Sequence, residues 1–149
     1  MEPVPIGSDQ ARVVLDLYSA ELAERFPDGF DVGRAAPPAP GDFDPPSGVF
    51  LLVRRGREPV GCGGLRTQAE GVGEIRRMWI APALRGRGAG RALLAELERQ
   101  AARLGFRAVR LDTATELHEA KQLYRSAGYV EIPAYNDNSY AGHWFEKQL

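Results

Sequence analysis

The residues with the clearest capacity for chemistry lie between Arg85 and Arg91, in the order Arg-Gly-Arg-Gly-Ala-Gly-Arg. Glycine has no Cβ, so it lets the backbone come close to a ligand. The apolar residues after Gly90 recur at helical spacing, which places these glycines at the start of a helix. The unpaired N–H groups and the dipole at a helix start attract anions. Together with the charges of Arg85, Arg87 and Arg91, they predict a site for a phosphate or pyrophosphate.

Two common phosphate-binding loops are excluded by the residues in this stretch. A Walker loop ends in Gly-Lys-Ser/Thr, and a dinucleotide fingerprint needs a glycine where Arg91 stands. The stretch instead resembles the coenzyme A loop of the GNAT superfamily of N-acetyltransferases. That pattern is Gln or Arg, two residues, Gly, one residue, then Gly or Ala, and Arg85 to Gly90 match it in full. A glycine-rich turn that binds no ligand is the alternative interpretation.

A second group of residues, further along the chain, resembles another motif of the same superfamily. Its members are Leu111-Asp112-Thr113, Ala120, Leu123-Tyr124 and Ala127-Gly128-Tyr129. With the loop, the resemblance covers roughly residues 49–129. One position departs from the family, because Leu117 stands where many members have Asn. A cofactor contact made by that Asn is therefore not carried over to this chain.

The resemblance implies an enzyme that transfers an acetyl group from acetyl-CoA to a primary amine, with residues 1–149 forming a single N-acetyltransferase domain. The loop amides would hold the pyrophosphate, and the backbone of the preceding strand would pair with the pantetheine arm. The cofactor-binding residues that it implies are Met78, Trp79, Ile80, Arg85, Gly86, Arg87, Gly88, Ala89, Gly90 and Arg91. The acceptor would be a small-molecule or peptide amine, and its identity is left open.

Glu74 is the candidate base for this reaction. A primary amine with a pKa near ~10 is almost entirely ammonium at neutral pH, so a proton must leave before the nitrogen can attack. Glu74 matches the glutamate that some family members use as a base, directly or through water. The alternative is an ordinary exposed carboxylate that pairs with Arg76 or Arg107.

Tyr124 is the candidate acid. A phenol can hydrogen-bond to the departing thiolate of coenzyme A and protonate it. The alternative is an aromatic side chain that only packs on the apolar face of its helix. Cys62 is a weaker candidate as an acyl carrier, because the only histidines, His118 and His143, lie far from it in sequence. We therefore expect direct transfer within a ternary complex.

The periodicity of the chain predicts the elements that position these residues. Together with the resemblance, it indicates a mixed α+β fold in the order β-α-β-β-β-α-β-α-β-β, with helices flanking a mixed, mostly antiparallel sheet. Strands are predicted over 4–6, 48–55, 60–66, 74–80, 107–112, 129–132 and 142–147, and helices over 9–26, 88–104 and 116–127. A Pro- and Gly-rich loop is predicted over 31–47, which the resemblance places near the acceptor.

Composition limits the class of protein. The 149 residues suit one domain, and a net charge of −1 argues against a general nucleic-acid binder. The sequence has no apolar run of membrane-spanning length, no signal-like start and no cluster with zinc spacing. A single cysteine suits a reducing interior, so we expect a cytoplasmic protein without a metal. A homodimer is left open.

Two other function classes remain open from the residues alone. One is a module that binds or senses coenzyme A without turnover, which a poorly placed Glu74 would favour. The other is a nucleic-acid partner that uses the local arginines, whose affinity would fall steeply with salt. Those arginines are Arg76, Arg77, Arg85, Arg87 and Arg91.

Overall fold

The computed structural model describes residues 1–26, 39 and 41–149. Its element order agrees with the predicted mixed α+β arrangement. The strands are β1 (Glu2–Pro3), β2 (Gly48–Arg55), β3 (Glu58–Ala69), β4 (Val72–Ile80), β5 (Ala108–Thr113), β6 (Val130–Ile132) and β7 (His143–Gln148). The helices are α1 (Asp9–Arg25), α2 (Ala89–Arg103) and α3 (His118–Ser126), with a short 3₁₀ turn at Pro82–Leu84 before α2.

The strands form one sheet in the order β1-β2-β3-β4-β5-β7-β6. Its pairs are antiparallel except for β4 with β5, which run parallel. That parallel ladder joins 72–74 to 108–110, although β4 continues to Ile80 and β5 to Thr113. The two strands therefore separate beyond Glu74, and the separation opens a gap in the middle of the sheet.

A β-bulge interrupts β4 inside this gap. Cys62 stands opposite Trp79 and Gly64 opposite Arg76, so two residues of β4 face one residue of β3. Arg77 is one of the two, and its φ of 55° lies in the left-handed region that side-chain-bearing residues rarely occupy. The bulge therefore changes which way the side chains of β4 point at this place.

Helices cover both faces of the sheet. Successive side chains of β2 alternate between the faces: Leu51 packs in the cluster with Leu93 and Leu97 of α2, and Leu52 packs in the cluster with Val14 of α1. Ser8 starts α1 by accepting a hydrogen bond from Ala11 N–H at 3.3 Å. The α2 and α1 layers thus hold the sheet, and the gap between β4 and β5, in place.

Several predicted boundaries were wrong by a few residues. β1 lies at Glu2–Pro3 rather than 4–6, since Val4 N–H still bonds Phe50 O at 3.0 Å but Pro5 offers no N–H to continue. β3 extends beyond the predicted 60–66 at both ends, and α3 begins two residues later than predicted. Most of the predicted loop over 31–47 lies outside the described residues; in the described part, Phe43 is buried.

Candidate active site

The loop between β4 and α2 has the backbone geometry that its glycines predicted. Gly86 and Gly88 have φ values of 78° and 83°, and a Cβ at either residue would meet nothing within 4 Å. Gly88 precedes α2 and has no side chain to cap it. The Ala92 N–H donates to Gly88 O at 3.0 Å. The amides of 89–91 precede this bond, so they have no helical acceptor and are available to an anion.

An open cleft of about 320 Å³ leads from this loop along the end of β4 to the inner face of α3. We call it the cofactor cleft. The predicted cofactor residues in its lining are Met78, Trp79, Ile80, Arg85, Gly86, Gly88, Gly90 and Arg91. Arg87 and Ala89 belong to the same loop but lie outside this lining. The structure thus brings most of the predicted cofactor set to one continuous surface.

The backbone of β4 presents Met78 and Ile80 to the side away from β3. Ala81 N–H donates to Val60 O at 2.8 Å, so Ala81 faces β3. Main-chain groups of successive strand residues point to opposite sides, and Ile80 and Met78 therefore point toward the gap. Except for the Ile80 carbonyl, which accepts a hydrogen bond from Arg85 Nε, their main-chain groups are placed to pair with an extended ligand, as the sequence predicted for the pantetheine arm.

Arg85 is held by protein partners rather than left free beside the loop. Its guanidinium donates to both carboxylate oxygens of Glu21, each at 2.7 Å, and its Nε donates to Ile80 O at 2.9 Å. Trp79 Nε1 donates to the same Glu21 at 3.3 Å. Glu21 thus offsets the charge of Arg85, and the pair ties the loop to α1 and to the end of β4.

A second cavity of about 140 Å³, which we call the inner cavity, lies beside the cofactor cleft. Its lining combines residues of β4 and β5, namely Arg76, Arg77 and Asp112, with Asn138 of the β6–β7 loop. Six residues line both spaces: Tyr18, Leu22, Met78, Leu117, Ala120 and Tyr124. The two spaces therefore share walls, and a molecule in one can contact a molecule in the other near these side chains.

Tyr124 occupies this shared wall. It is 7% exposed, and its ring packs at 5.9 Å from that of Tyr129 and 6.0 Å from that of Phe145. Burial raises the pKa of the Tyr124 phenol above its ordinary value of 10.0, so the hydroxyl keeps its proton at neutral pH. It can donate a proton and cannot serve as a base there.

Tyr18 of α1 is a second phenol in the shared wall, and sequence reasoning missed it. Burial raises the pKa of Tyr18 to about 12, while the charges of Arg76 and Arg77 act to lower it. Tyr18 lies within the helix predicted over 9–26, and nothing in the sequence marked it as part of a site. Tyr18 reaches the site because α1 packs against β3 and β4.

Glu74 is buried, at 2% exposure, so the alternative interpretation was wrong about its exposure, although the predicted pairing with Arg76 is present. Arg66, its partner across the β3–β4 ladder, donates from Nε at 2.9 Å, and the Tyr135 hydroxyl donates at 2.7 Å. Arg76 lies 3.8 Å away, whereas Arg107 bonds Glu70 O instead. Glu74 is not one of the described residues that line the cofactor cleft or the inner cavity. The structure therefore does not place it in the same lining as Tyr124.

Asp112 is a functional candidate that the sequence analysis named only as part of the motif Leu111-Asp112-Thr113. Arg76 donates to its two oxygens at 3.1 and 3.0 Å, and Asn136 and Asn138 donate at 2.7 and 3.2 Å. These bonds cross the gap between β4 and β5 and attach the β6–β7 loop to it. An acidic residue inside an alternating buried strand was the available sequence signal.

Cys62 is a free thiol that is fully buried. Its Sγ donates to Arg77 O at 3.2 Å, and burial raises its pKa to about 12. A thiol that keeps its proton is a poor nucleophile, which agrees with the expectation against an acyl carrier.

Comparison with known proteins identifies the family. The model of the Acetyltransferase (GNAT) family matches residues 14–129. The chain belongs to this family. A curated relative, the IAA acetyltransferase of Azospirillum brasilense, is 37% identical over 83 residues, which are 55% of this chain and 54% of the relative. The match therefore spans about half the length of that relative.

Solved structures of the GNAT family share the fold. An acetyltransferase of the GNAT family from Staphylococcus aureus has a TM-score of 0.80 at 14% identity, with 99% of this chain and 98% of that chain covered. The PaiA N-acetyltransferase of Thermoplasma acidophilum, solved in complex with coenzyme A, has a TM-score of 0.60 at 19% identity, covering 69% and 62%. At these identities the likeness extends to the fold alone.

Two features are absent from residues 1–26, 39 and 41–149. None of the described helices is both long and apolar enough to cross a membrane. The described residues also contain no group of three or more His, Cys, Asp or Glu side chains that could hold a metal ion.

Proposed function

We propose that the protein is an N-acetyltransferase that moves an acetyl group from acetyl-CoA to a primary amine in a ternary complex. The observation that carries the proposal is the arrangement of the two spaces. A glycine loop with free amides stands at the outer end of the cofactor cleft, and Tyr124 and Met78 lie in the wall that the cleft shares with the inner cavity.

In this proposal each part of the chain has one task. The loop amides bind the pyrophosphate of the cofactor, and the backbone of Met78 and Ile80 pairs with the pantetheine arm. The amine occupies the inner cavity, and its nitrogen attacks the thioester carbonyl as the carbon–sulfur bond breaks. Tyr124 gives its proton to the leaving thiolate.

The proton of the amine needs a different route from the one that Glu74 suggested in the sequence. Glu74 is not among the described residues that line the inner cavity, and Arg66 and Tyr135 donate hydrogen bonds to its oxygens. We therefore assign proton removal to water in the inner cavity, with Glu74 as a positioning residue that holds Arg66 and Tyr135. A reducing compartment, predicted from the free Cys62, and a single domain over residues 1–149 remain part of the proposal.

Similar proteins support the cofactor. The PaiA N-acetyltransferase was solved with coenzyme A, and a streptothricin acetyltransferase of Bacillus anthracis with acetyl coenzyme A. Family membership supports acetyl transfer as the reaction class. The names of these relatives do not identify the acceptor of this chain.

Binding and turnover can be tested in two steps. Calorimetry should give saturable binding of acetyl-CoA, and the melting temperature should rise with its concentration but not with an oligonucleotide. A panel of amines assayed for thiol release should then contain at least one acceptor. Failure of acetyl-CoA to bind the folded protein would contradict the proposal at its first step.

A coenzyme A-binding module without turnover is the second candidate. The engagement of Glu74 by Arg66 and Tyr135 favours it, because the family-type base is then not free to contact an amine. This candidate predicts that acetyl-CoA and free coenzyme A bind while no amine in the panel releases thiol faster than the protein-free control. Thiol release that disappears in the Tyr124→Phe variant would exclude it.

A further inference from the structure

Arg77 is a cation in the lining of the inner cavity. Across residues 1–26, 39 and 41–149, no carboxylate forms an ion pair with its guanidinium, and its side chain donates no hydrogen bond. Its neighbour in the chain, Arg76, lines the same cavity and is held by both oxygens of Asp112. The described residues of the cavity lining thus include two arginines and one aspartate, and that aspartate is already paired with Arg76.

The surroundings of Arg77 leave its charge uncompensated. Burial lowers the pKa of Arg77, and the charges of Arg76 and Arg66 act in the same direction, against an opposing effect of Tyr18 that is smaller than that of burial. A half-buried charge without a counter-ion costs free energy, which a bound anion would recover. A guanidinium is also the side chain best shaped to bind a carboxylate through two parallel hydrogen bonds.

The backbone at Arg77 is specialised. The residue adopts φ 55° in the β4 bulge, a conformation that is unfavourable for any residue with a side chain. In a regular strand Arg76 and Arg77 would point to opposite faces, yet both line the inner cavity. The bulge therefore presents Arg77 beside Met78, which lies in the wall that the inner cavity shares with the cofactor cleft.

We propose that the acceptor is an amino carboxylate, a free amino acid with a compact apolar side chain, and that Arg77 binds its carboxylate. The proposal rests on the proposed acetyl transfer. The inner cavity, at about 140 Å³, is smaller than the cofactor cleft, at about 320 Å³, which suits a compact acceptor. Leu22, Phe26 and Ile75 in the lining would contact an apolar side chain.

The test compares free amino acids with their carboxamides as acceptors. Each pair shares the amine and the side chain but differs in the anionic group. The quantity measured is the ratio of kcat/KM for acid over amide, in the unaltered protein and in Arg77→Gln. Dividing the two ratios cancels the difference in amine pKa between acid and amide.

For at least one amino acid, Arg77→Gln should lower the acid-over-amide ratio by about 10- to 100-fold, the usual effect of a lost hydrogen bond to a charged group. The loss should lie in KM with kcat little changed, because the carboxylate is equally bound before and during transfer. Arg77→Lys should restore part of the acid-over-amide ratio. Arg57→Gln, which removes an exposed arginine from the β2–β3 turn, should leave the ratio unchanged.

Other outcomes separate this proposal from the proposed function. If amines are acetylated but the ratio does not respond to Arg77→Gln, the carboxylate assignment is wrong and the acetyltransferase stands. If the protein acetylates other amines, such as polyamines, but no amino acid, the carboxylate assignment is also wrong. If acetyl-CoA does not bind at all, the proposed function is wrong, and the carboxylate assignment that rests on it is wrong with it. Melting temperatures of the variants confirm that each is folded.

Discussion

The two ends of the site are built by different means. The outer end is a run of consecutive residues, 85–91, in which the amides of 89–91 have no helical acceptor and are available to an anion. Its geometry depends on glycines with positive φ and on the start of α2. Such a site is local, because each of its parts lies within a few residues of the others.

The inner cavity is instead built from side chains of separate elements. Tyr18 comes from α1, Arg76 from β4, Asp112 from β5 and Asn138 from the β6–β7 loop. Ion pairs and hydrogen bonds between distant residues hold it, as in the bonds from Arg76 and Asn138 to Asp112. The difference indicates that binding depends on backbone conformation at one end, while chemistry and stability depend on buried polar contacts at the other.

The largest expected effect concerns the phenol at the junction of the two spaces. Tyr124→Phe keeps the ring packing against Tyr129 and Phe145 but removes the proton that we assign to the thiolate. Turnover should fall by about 10²- to 10⁴-fold, the usual range for a lost general acid. Affinity for acetyl-CoA should change little, because the loop amides are untouched. Steady-state kinetics and calorimetry measure the two quantities.

Tyr129→Phe is the matched control for this variant. Tyr129 is also buried, and its hydroxyl donates to Glu98 at 2.9 Å. It should lose some stability and keep its turnover. Near-normal turnover in Tyr124→Phe would reduce Tyr124 to a packing residue, and water would become the proton donor. Tyr18→Phe tests whether the other phenol in the shared wall takes that role instead.

The next effect is on stability, at the buried carboxylate beside the inner cavity. Glu74→Gln keeps the shape but removes the charge that faces Arg66 and Arg76. Breaking a buried, hydrogen-bonded ion pair should cost about 3 kcal/mol, which lowers the melting temperature by about 6–12 °C. Glu58→Gln is the control, since Glu58 is exposed and pairs with Arg55 at the surface, and its effect should be close to zero.

The turnover of Glu74→Gln tests whether Glu74 is a positioning residue or the base. If Glu74 only holds its neighbours, turnover per folded molecule should fall modestly and without a change in its pH dependence. If Glu74 were the base, turnover should collapse and the acidic limb of the pH profile should disappear. Thermal unfolding and a pH–rate profile distinguish the positioning residue from the base.

The same contrast explains what could be predicted from the sequence. The loop was identified because glycines, arginines and a helix start stand side by side in the chain. The strands and helices followed from periodicity, and their errors fall at ends such as β1, where Pro5 decides the boundary through a missing N–H. Nothing in this required contacts between distant residues.

The inner cavity could not be predicted in the same way. Arg66 and Glu74 meet because of the β3–β4 register, and Arg76 meets Asp112 because β4 and β5 separate after Glu74. The bulge that presents Arg77 is a property of two paired strands. Tyr124 was an exception, because helical spacing placed it on the inner face of α3.

A smaller effect is expected at the loop. Gly88→Leu places a side chain at φ 83°, at a residue that lines the cofactor cleft. Acetyl-CoA should bind about 10- to 100-fold more weakly, as expected for a lost hydrogen bond to a charged phosphate. Gly56→Leu, at φ 63° in the β2–β3 turn, carries similar backbone strain of about 1–2 kcal/mol without touching the cleft. Equal affinity for the two variants in calorimetry would remove the loop from the binding site.

The smallest effect is expected at an ion pair on the rim of the cofactor cleft. Glu119, in the first turn of α3, accepts two hydrogen bonds from Arg25 at the end of α1, and both residues line the cleft. The hydrogen bond from Arg25 lowers the pKa of Glu119 from 4.5 to about 2. The Glu119 side chain is 55% exposed, so solvent screens the pair, and Glu119→Gln should cost only about 0.5 kcal/mol.

The pH dependence of this difference in stability shows whether it arises from the charge of Glu119. The pKa of Glu119 is lower in the folded protein than in the unfolded chain, so its contribution is fully present above pH 4.5 and is lost as the pH falls toward 2. Denaturant unfolding of the unaltered protein and of Glu119→Gln should therefore differ by a constant amount near neutral pH and converge in acid. A difference that persists unchanged at pH 2 would mean that Glu119 acts through packing rather than charge. In either case acetyl-CoA affinity should stay within about twofold, because the rim pair lies apart from the amides that we assign to the phosphates.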